Sequence, residues 1–436
     1  MNIKEAARIL VLDPIHGAEV IAEELKGIGK DVQVFNPYRA SSSDKTVLKN
    51  LNYDLVIAPV HLNPNFEIVK QAMGNAIPFM SHHEAVKEIA AINNIFNGIK
   101  VVEVTGTVKK TSVCELICQL VNTKKVLSHT SSITRFQSAG KEVRFPRLGG
   151  TPANVLKVME IARASNLEPD IAVFEVSLGL TGIGDVAVIT SLEEDYRVAG
   201  GTKAASAVKK ASLRNYDGKG SSVVVHPGLS DLLNMSGNTY GDSGRNLRIE
   251  ENKVIFDGLR IINGEFISGE ISFTPIDSYI AGDYYRNCLE AAFCTVLSLG
   301  IPAEELNTAD ISPVNGRLKL KRQKGRFLID NSNSGTKLKF LDAITEMARR
   351  ISEKVLLIVG VESQYVCEGV DAEELKELVE TEAPDFVEII VVGEEFKGKI
   401  EGKNVLFADR LDTALEKAVS DSEEGSVIIS NVKTWR

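Results

Sequence analysis

Residues 101–120 read VVEVTGTVKKTSVCELICQL, and the reading of this stretch decides the architecture. Val101, Val102 and Val104 make a short apolar run, which predicts a buried strand. Thr105-Gly106-Thr107 is a tight polar turn, and Lys110-Thr111-Ser112 opens a helix. Val113, Leu116, Ile117, Leu120 and Val121 then recur at the spacing of one apolar helix face. Strand, glycine turn, Lys-Thr and helix is an arrangement that cradles phosphate, because free backbone N–H groups and the helix dipole attract an anion. The lysine neutralises charge on the outer phosphates and the hydroxyl of Thr111 can hold magnesium. The general phosphate-loop pattern has glycine immediately before the lysine and again six residues before it. This chain has Lys109 and Val104 at those places. The same residues would also serve an ordinary strand–turn–helix with surface lysines.

The chain has 436 residues, which points to two to four domains at about 150 residues each. A hydrophobic content of 44% is that of a globular protein with sizeable cores. A net charge of −9 with no basic stripe argues against a nucleic-acid partner. The five cysteines, Cys114, Cys118, Cys288, Cys294 and Cys367, show no CxxC spacing, so a disulfide framework is not expected and a reducing compartment is. No apolar run approaches a membrane span and no signal-peptide pattern opens the chain, so it reads as soluble and cytoplasmic, with no membrane partner.

Outward from the central stretch, strands alternate with helices in both directions. On the N-terminal side, strands are expected at residues 8–13, 31–35, 54–60 and 77–80, with helices at 18–28, 65–73 and 84–96. His16, His61, His82 and His83 fall at or just after these strand ends, where open α/β sheets bind ligands. On the C-terminal side, strands are expected at 126–134 and 142–147, a helix at 152–165, and buried strands at 170–177 and 185–190. Glu175 near the end of the 170–177 run suits a magnesium ligand or a water-positioning base. An alanine-rich helix precedes a strand at 222–225; short alternating runs such as 253–256 and 267–273 predict hairpins, and 282–299 a helix. A second parallel sheet is expected from about residue 309, with strands at 318–320, 326–329, 355–359, 387–392 and 427–430. No internal repeat or long linker is visible.

The order of these pieces resembles the Mur ligase family over essentially the whole chain. The family's loop TGTNGKT[TS] is matched by Thr105, Gly106, Thr107, Val108, Lys109, Lys110, Thr111 and Ser112 in all but its Asn-Gly pair. Its Glu-x-Ser strand end is similar to Glu175-Val176-Ser177, its Gly-Arg to Gly316-Arg317, and its strand-ending ribose-binding aspartate to Asp330. Asn287 in NCLEAA resembles the asparagine that the family places near the adenine. The resemblance implies an α/β fold of three parts: a Rossmann-like substrate domain at 1–98, a central P-loop ATP-binding domain at 99–308 and a Rossmann-like domain at 309–436. It implies ATP and Mg2+ as cofactors, Thr111 and Glu175 as metal ligands, and Lys110 and Glu175 as catalytic groups.

Two departures narrow the resemblance. The family's DHLD segment, whose histidine binds a second magnesium, is replaced by Asp195-Tyr196-Arg197. The family's modified lysine is matched in spacing by Lys210, with Lys209 beside it. The segment after Asp330 reads Asn331-Ser332-Asn333-Ser334-Gly335-Thr336 instead of a tyrosine-alanine-histidine run. Together with LDPIHG, APVH, SHHEAV and DYRVAGGTKAAS, these features resemble a branch of the family, from methanogenic archaea, that acts on a nickel tetrapyrrole. The implied reaction is ATP-dependent activation of a side-chain carboxylate, then closure of a carbocyclic ketone through a carbon–carbon bond. His16, His61, His82, His83, Tyr196, Asn331 and Ser332 are the candidate substrate contacts. A Mur-type amino-acid ligase of pseudomurein synthesis is the alternative enzyme, and a nucleotide-binding regulator or metallochaperone the alternative from another class.

Overall fold

The computed structural model describes residues 1–39, 51–193, 195–216, 222–232, 237–241, 245–274, 283–362, 370–382 and 385–434. Cys367 lies outside them. The chain divides into two compact units: residues 1–274 with 286–311, and residues 275–285 with 312–436.

The first unit holds two main sheets. The N-terminal one is four-stranded and parallel, in the order Asp31–Phe35, Arg8–Leu12, Leu55–Ala58, Phe79–Ser81. Its central strand, with burial on both faces, is the RILVL run, as a parallel strand requires. The helices Ala18–Gly27 and His82–Ile92 cover one face. The second of these begins at His82, two residues earlier than the sequence pattern predicts. Ser81 caps it: its hydroxyl accepts from the Glu84 N–H at 3.1 Å while the Glu84 carboxylate accepts from the Ser81 N–H at 2.8 Å. This Ser-x-x-Glu capping box, worth about 1 kcal/mol, is the signal that outweighs apolar periodicity at that end.

The other sheet has eight strands. Gly237–Thr239, Ser222–Val225, Val186–Ile189, Lys100–Thr105, Ile171–Glu175 and Val126–His129 are parallel, and the edge is antiparallel through Thr134–Ser138 and Lys141–Phe145. The single strand expected over 126–134 is in fact two. Thr130 breaks it: its N–H donates to the Ile133 carbonyl at 2.8 Å, and its hydroxyl accepts from the N–H groups of Ser132 and Ile133. A hydroxyl that takes up backbone donors in this way makes a turn out of a β-branched run. A three-stranded antiparallel sheet, Leu247–Glu250, Lys253–Arg260 and Phe266–Ser272, supplies the expected hairpins.

One apolar cluster is common to both main sheets of this unit. Ile9, Ile21, Ile89 and Met80 from the N-terminal part share it with Val101, Leu156, Met159 and Phe174, and Phe96 meets Phe174 edge-on at 5.9 Å. Each fully buried aliphatic or aromatic side chain here contributes about 1.5–3 kcal/mol relative to exposure.

The second unit is built on a six-stranded sheet in the order Lys319–Gln323, Arg326–Asp330, Val427–Lys433, Val355–Val361, Glu388–Val392, Val405–Ala408. Only the first pair is antiparallel, a hairpin turned at Lys324-Gly325. The strand Val405–Ala408 has no counterpart in the sequence reading. Four residues on a sheet edge carry too little periodicity to stand out. The four described cysteines are buried free thiols. Among the described residues, no helix is long and apolar enough to cross a membrane.

Candidate active site

The loop after Lys100–Thr105 is held from the neighbouring strand Val186–Ile189. The Thr107 N–H donates to the Ser191 carbonyl at 2.9 Å, and the Thr190 hydroxyl donates to the Val108 carbonyl at 2.6 Å. Gly106 has φ +151°, and a Cβ there would lie 2.1 Å from the Thr190 hydroxyl oxygen. Only glycine lets the loop lie that close to its support. Lys109, at the place where the general pattern has glycine, adopts the left-handed conformation with φ 69°. The consensus glycine is thereby explained in physical terms, and this chain carries a lysine there at a strain of about 1 kcal/mol. The helix Lys110–Leu120 follows at once, with its first-turn N–H groups at the loop.

Thr111 and Glu175 are brought together. The Thr111 hydroxyl donates to Glu175 Oε2 at 2.8 Å, and the same oxygen accepts from the Ser131 N–H at 3.1 Å. Glu175 is 4% exposed at the end of Ile171–Glu175. The hydroxyls of Thr111 and Ser131 and the Glu175 carboxylate form an all-oxygen donor set, the chemistry a hard cation such as Mg2+ prefers. Ser131 was not singled out from the sequence. It lies in the Thr-Ser-Ser turn that splits the expected strand. Two residues past Glu175, the Ser177 N–H donates to the Gly150 carbonyl at 3.0 Å and its carbonyl contacts His83 Nε2 at 3.0 Å.

The four N-terminal histidines part into two pairs. His16 and His61 come together edge-to-face with ring centroids 4.4 Å apart, around Asp13, a residue the sequence reading passed over as a strand end. His16 Nδ1 lies 2.6 Å from Asp13 Oδ2 and His61 Nε2 lies 3.7 Å from the same oxygen, to which the Tyr38 hydroxyl also donates at 3.0 Å. Burial alone pushes the Asp13 carboxyl up, but the hydrogen bonds and charge of His16, with Tyr38 and His61, outweigh it and leave the group below the usual carboxylate value. Burial pushes His61 down to about 4. His82 and His83 are instead buried at the start of the helix His82–Ile92. His82 contacts the Leu12 carbonyl at 3.0 Å and burial pushes it to about 3, while burial also lowers His83. These two tie backbone segments together, which is a positioning task.

Tyr196 is half-buried beside Lys209, whose amine donates to the tyrosine hydroxyl at 3.3 Å and lies 4.9 Å from the ring centre. Lys209 is 1% exposed and Lys210 is exposed. The inward lysine is thus the neighbour of the one that spacing picks. The same segment supports the loop with His61: Lys203 donates to the Val60 carbonyl at 3.3 Å, and a Cβ on Gly200 would lie 2.4 Å from the Asn63 amide.

In the second unit, Arg317 is half-buried after Gly316, whose φ is +67°. Its carbonyl accepts from the Tyr285 hydroxyl at 2.5 Å. Asp330 is buried, paired with Lys321 at 2.7 Å, and accepts from the Ser332 N–H at 3.2 Å. Asn331 donates to the Asn431 side chain at 2.7 Å. Ser332 is buried with its hydroxyl 2.7 Å from that of Ser430, so the sheet interior takes it up. Asn287, in the first unit, is half-buried on the helix Asp283–Ser298.

The architecture is that of the Mur ligases. The chain matches the MurF ligase from Thermotoga maritima in complex with ADP at a TM-score of 0.53 and 15% identity, over 98% of this chain and 92% of that one. Within that class, residues 320–434 match the family model described as the C-terminal domain of coenzyme F430 synthetase CfbE. The chain is 29% identical to the coenzyme F(430) synthetase of Methanosarcina acetivorans, over 98% of this chain and 99% of that protein. It is 23% identical to that of Methanocaldococcus jannaschii, over 90% and 93%. The chain therefore has the Mur ligase fold and, along its length, the sequence likeness of coenzyme F430 synthetases, as the motifs indicate.

Proposed function

We propose that this chain is an ATP-dependent ligase that activates a side-chain carboxylate of a nickel tetrapyrrole as an acyl phosphate and closes a carbocyclic ketone, yielding coenzyme F430. The observation that carries the nucleotide half is the bond between Thr111 and Glu175 at the mouth of a loop built close by Gly106. That donor set fits magnesium; bound there with Ser131, the cation would neutralise charge on the phosphates. Lys110, whose amine reaches the Thr107 carbonyl at 3.5 Å, is the loop's cation for the transferred phosphoryl group. Asn287, Arg317 and Asp330 are assigned to the nucleotide by their motifs, Lys210 or the inward Lys209 to the family's lysine role, and Asn331 and Tyr196 to substrate contact; Ser332, buried against Ser430, is left to the sheet. Residues 1–98, 99–308 and 309–436 are the substrate, ATP-binding and C-terminal parts of this reading.

The relatives named coenzyme F430 synthetase, matched over 98% and 90% of this chain, support the substrate class. The chemistry agrees: a carboxylate is a poor electrophile until phosphorylated, and two reacting ends on one macrocycle need no clamp for a second substrate. The test is a single-turnover reaction with ATP, Mg2+ and the open-ring nickel tetrapyrrole acid. One ADP and one phosphate per product, with product lighter by one water and no amine required, is expected. An added amino acid in the product mass would overturn the reading in favour of an amino-acid ligase. ADP release without change in the tetrapyrrole would favour a regulator.

A further inference from the structure

We propose that His16 is the base that removes the proton from the attacking carbon, and that Asp13 is the residue that positions it. The proposal rests on the ring-closing reading above. Bond formation at a carbon releases a carbon-bound proton, which leaves far less readily than the proton of an ammonium group. A ring-closing enzyme therefore needs a base placed beside that carbon, and the first unit contains a pair arranged as one.

Asp13 ends the strand Arg8–Leu12 in a conformation unusual for a residue with a side chain, φ 76° and ψ 79°. Its side chain is 0% exposed. Such strain persists where surrounding structure holds it, and it clusters at functional sites. Here it sets the carboxylate against the backbone and ring of His16. Oδ1 accepts from the His16 N–H at 3.2 Å and Oδ2 takes Nδ1 of the His16 ring at 2.6 Å. With Nδ1–H donated to a carboxylate, the neutral ring carries its lone pair on Nε2. The His16 side chain is 37% exposed, so the ring is open to a substrate while its partner is not. Tyr38 donates to Oδ2 at 3.0 Å and His61 stands edge-on to the ring, which fixes its tilt.

Asp13, His16 and His61 also have their ligating atoms within 4.8 Å of one another, as a metal site requires. The 2.6 Å separation of His16 Nδ1 and Asp13 Oδ2 is that of a charge-assisted hydrogen bond, the arrangement a general base uses.

A chain of contacts joins the turn that bears His16 to the strand end that carries Glu175. A Cβ on Gly17, next to His16, would lie 2.5 Å from that of Ala153, so this turn rests on the segment 151–153. The adjoining Gly150 bonds Ser177, two residues from Glu175. In the step, His16 Nε2 takes the proton from the substrate carbon. The electron pair left on that carbon attacks the acyl carbonyl carbon, the carbon–carbon bond forms, and the bond to phosphate breaks with phosphate taking its electrons. The proton leaves His16 to solvent.

The experiment separates activation from closure. Wild type, His16→Gln and Asp13→Asn are each given ATP, Mg2+ and the open-ring nickel tetrapyrrole acid. One arm contains hydroxylamine to trap the acyl phosphate as hydroxamate. The other follows ketone formation by mass and exchange of the carbon-bound hydrogen in deuterium oxide. Expected is hydroxamate formation within about threefold of wild type in both variants. Closure and exchange should fall by about 10²–10⁴-fold in His16→Gln, and ADP release should run uncoupled from ketone in Asp13→Asn. Closure at the wild-type rate in His16→Gln overturns the proposal. So does an equal loss of hydroxamate and ketone, which would make His16 a binding residue. Should Asp13→Asn not fold, His16→Gln, altered at a part-exposed ring, decides alone. Wild type that gives hydroxamate but no ketone instead refutes the ring-closing reading, and this proposal with it.

Discussion

Replacing Gly106 with alanine puts one methyl group where the loop meets its support. The new Cβ would lie 2.1 Å from the Thr190 hydroxyl and 3.1 Å from both N and O of Ser191. Thr190 is 3% exposed and cannot swing into solvent. Its hydroxyl donates to Val108 at 2.6 Å and contacts Thr105 at 3.3 Å, and the next carbonyl accepts from Thr107 at 2.9 Å. Losing one or two of these bonds costs about 1–3 kcal/mol. Backbone strain at φ +151° adds about 1–2 kcal/mol. Gly106→Ala should therefore lose about 2–5 kcal/mol of stability together with ATP turnover, because the displaced backbone is the proposed phosphate cradle. Gly140→Ala is the matched control. It also has positive φ, +76°, but a Cβ there meets nothing within 4 Å. It should lose only about 1 kcal/mol and keep turnover. Urea unfolding and ADP release measure both. Equal stability losses in the two variants, with turnover intact in each, would refute the close-approach argument.

Glu175→Gln keeps an acceptor for Thr111 and Ser131 but removes the charge, so the fold should persist while magnesium-dependent turnover falls about 10²–10³-fold; an unchanged magnesium titration would make Glu175 a structural residue. Lys110→Ala should abolish turnover, whereas Lys109→Gly, which relieves a left-handed lysine, should keep most of it; equal losses in a steady-state assay would contradict the loop assignment. Burial holds His61 at about 4 and His82 at about 3 in the folded chain, against about 6.5 unfolded. The unfolded chain then binds protons that the folded one refuses, so stability should fall as pH drops from about 6.5, by on the order of 2 kcal/mol per histidine at pH 5. Asp13, lowered in the folded chain, adds stability above the ordinary carboxylate range that is lost only as pH falls through its folded value. Urea midpoints from pH 7 to 5 should show a shallower slope in His82→Gln than in wild type, and identical slopes would refute the burial argument.

The strand, loop and helix around Gly106 were legible in the sequence because their signals are local. Strand, turn and helix follow one another within residues 101–120, and Thr111 and Glu175 belong to motifs of fixed order. Asp13 was invisible for the opposite reason. Its meaning depends on Tyr38 and His61, which arrive from other loops, and on a dihedral angle that no residue-type pattern encodes. The choice between Lys209 and Lys210 likewise turns on which side of a seven-residue helix faces inward, and motif spacing resolves that only to within a residue. Ser131 and Ser332 show both sides of the same difficulty. Two serines in polar loops look alike in sequence, yet one stands beside Glu175 and the other is buried against Ser430.

The apolar cluster shared by the two main sheets of the first unit bears on how such chains can be recombined. Ala85, Val86 and Ile89, from the first hundred residues, lie in one core with Ala153, Leu156, Met159 and Phe174. A gene fusion cut at residue 98 would transfer the histidine-bearing segment without the helix Asn154–Ala164 that completes its interior. The recipient would have to supply matching shapes at every one of those positions. The histidine-bearing segment is thus inherited in a block with the strand end that carries Glu175, and a graft that succeeds has to carry both.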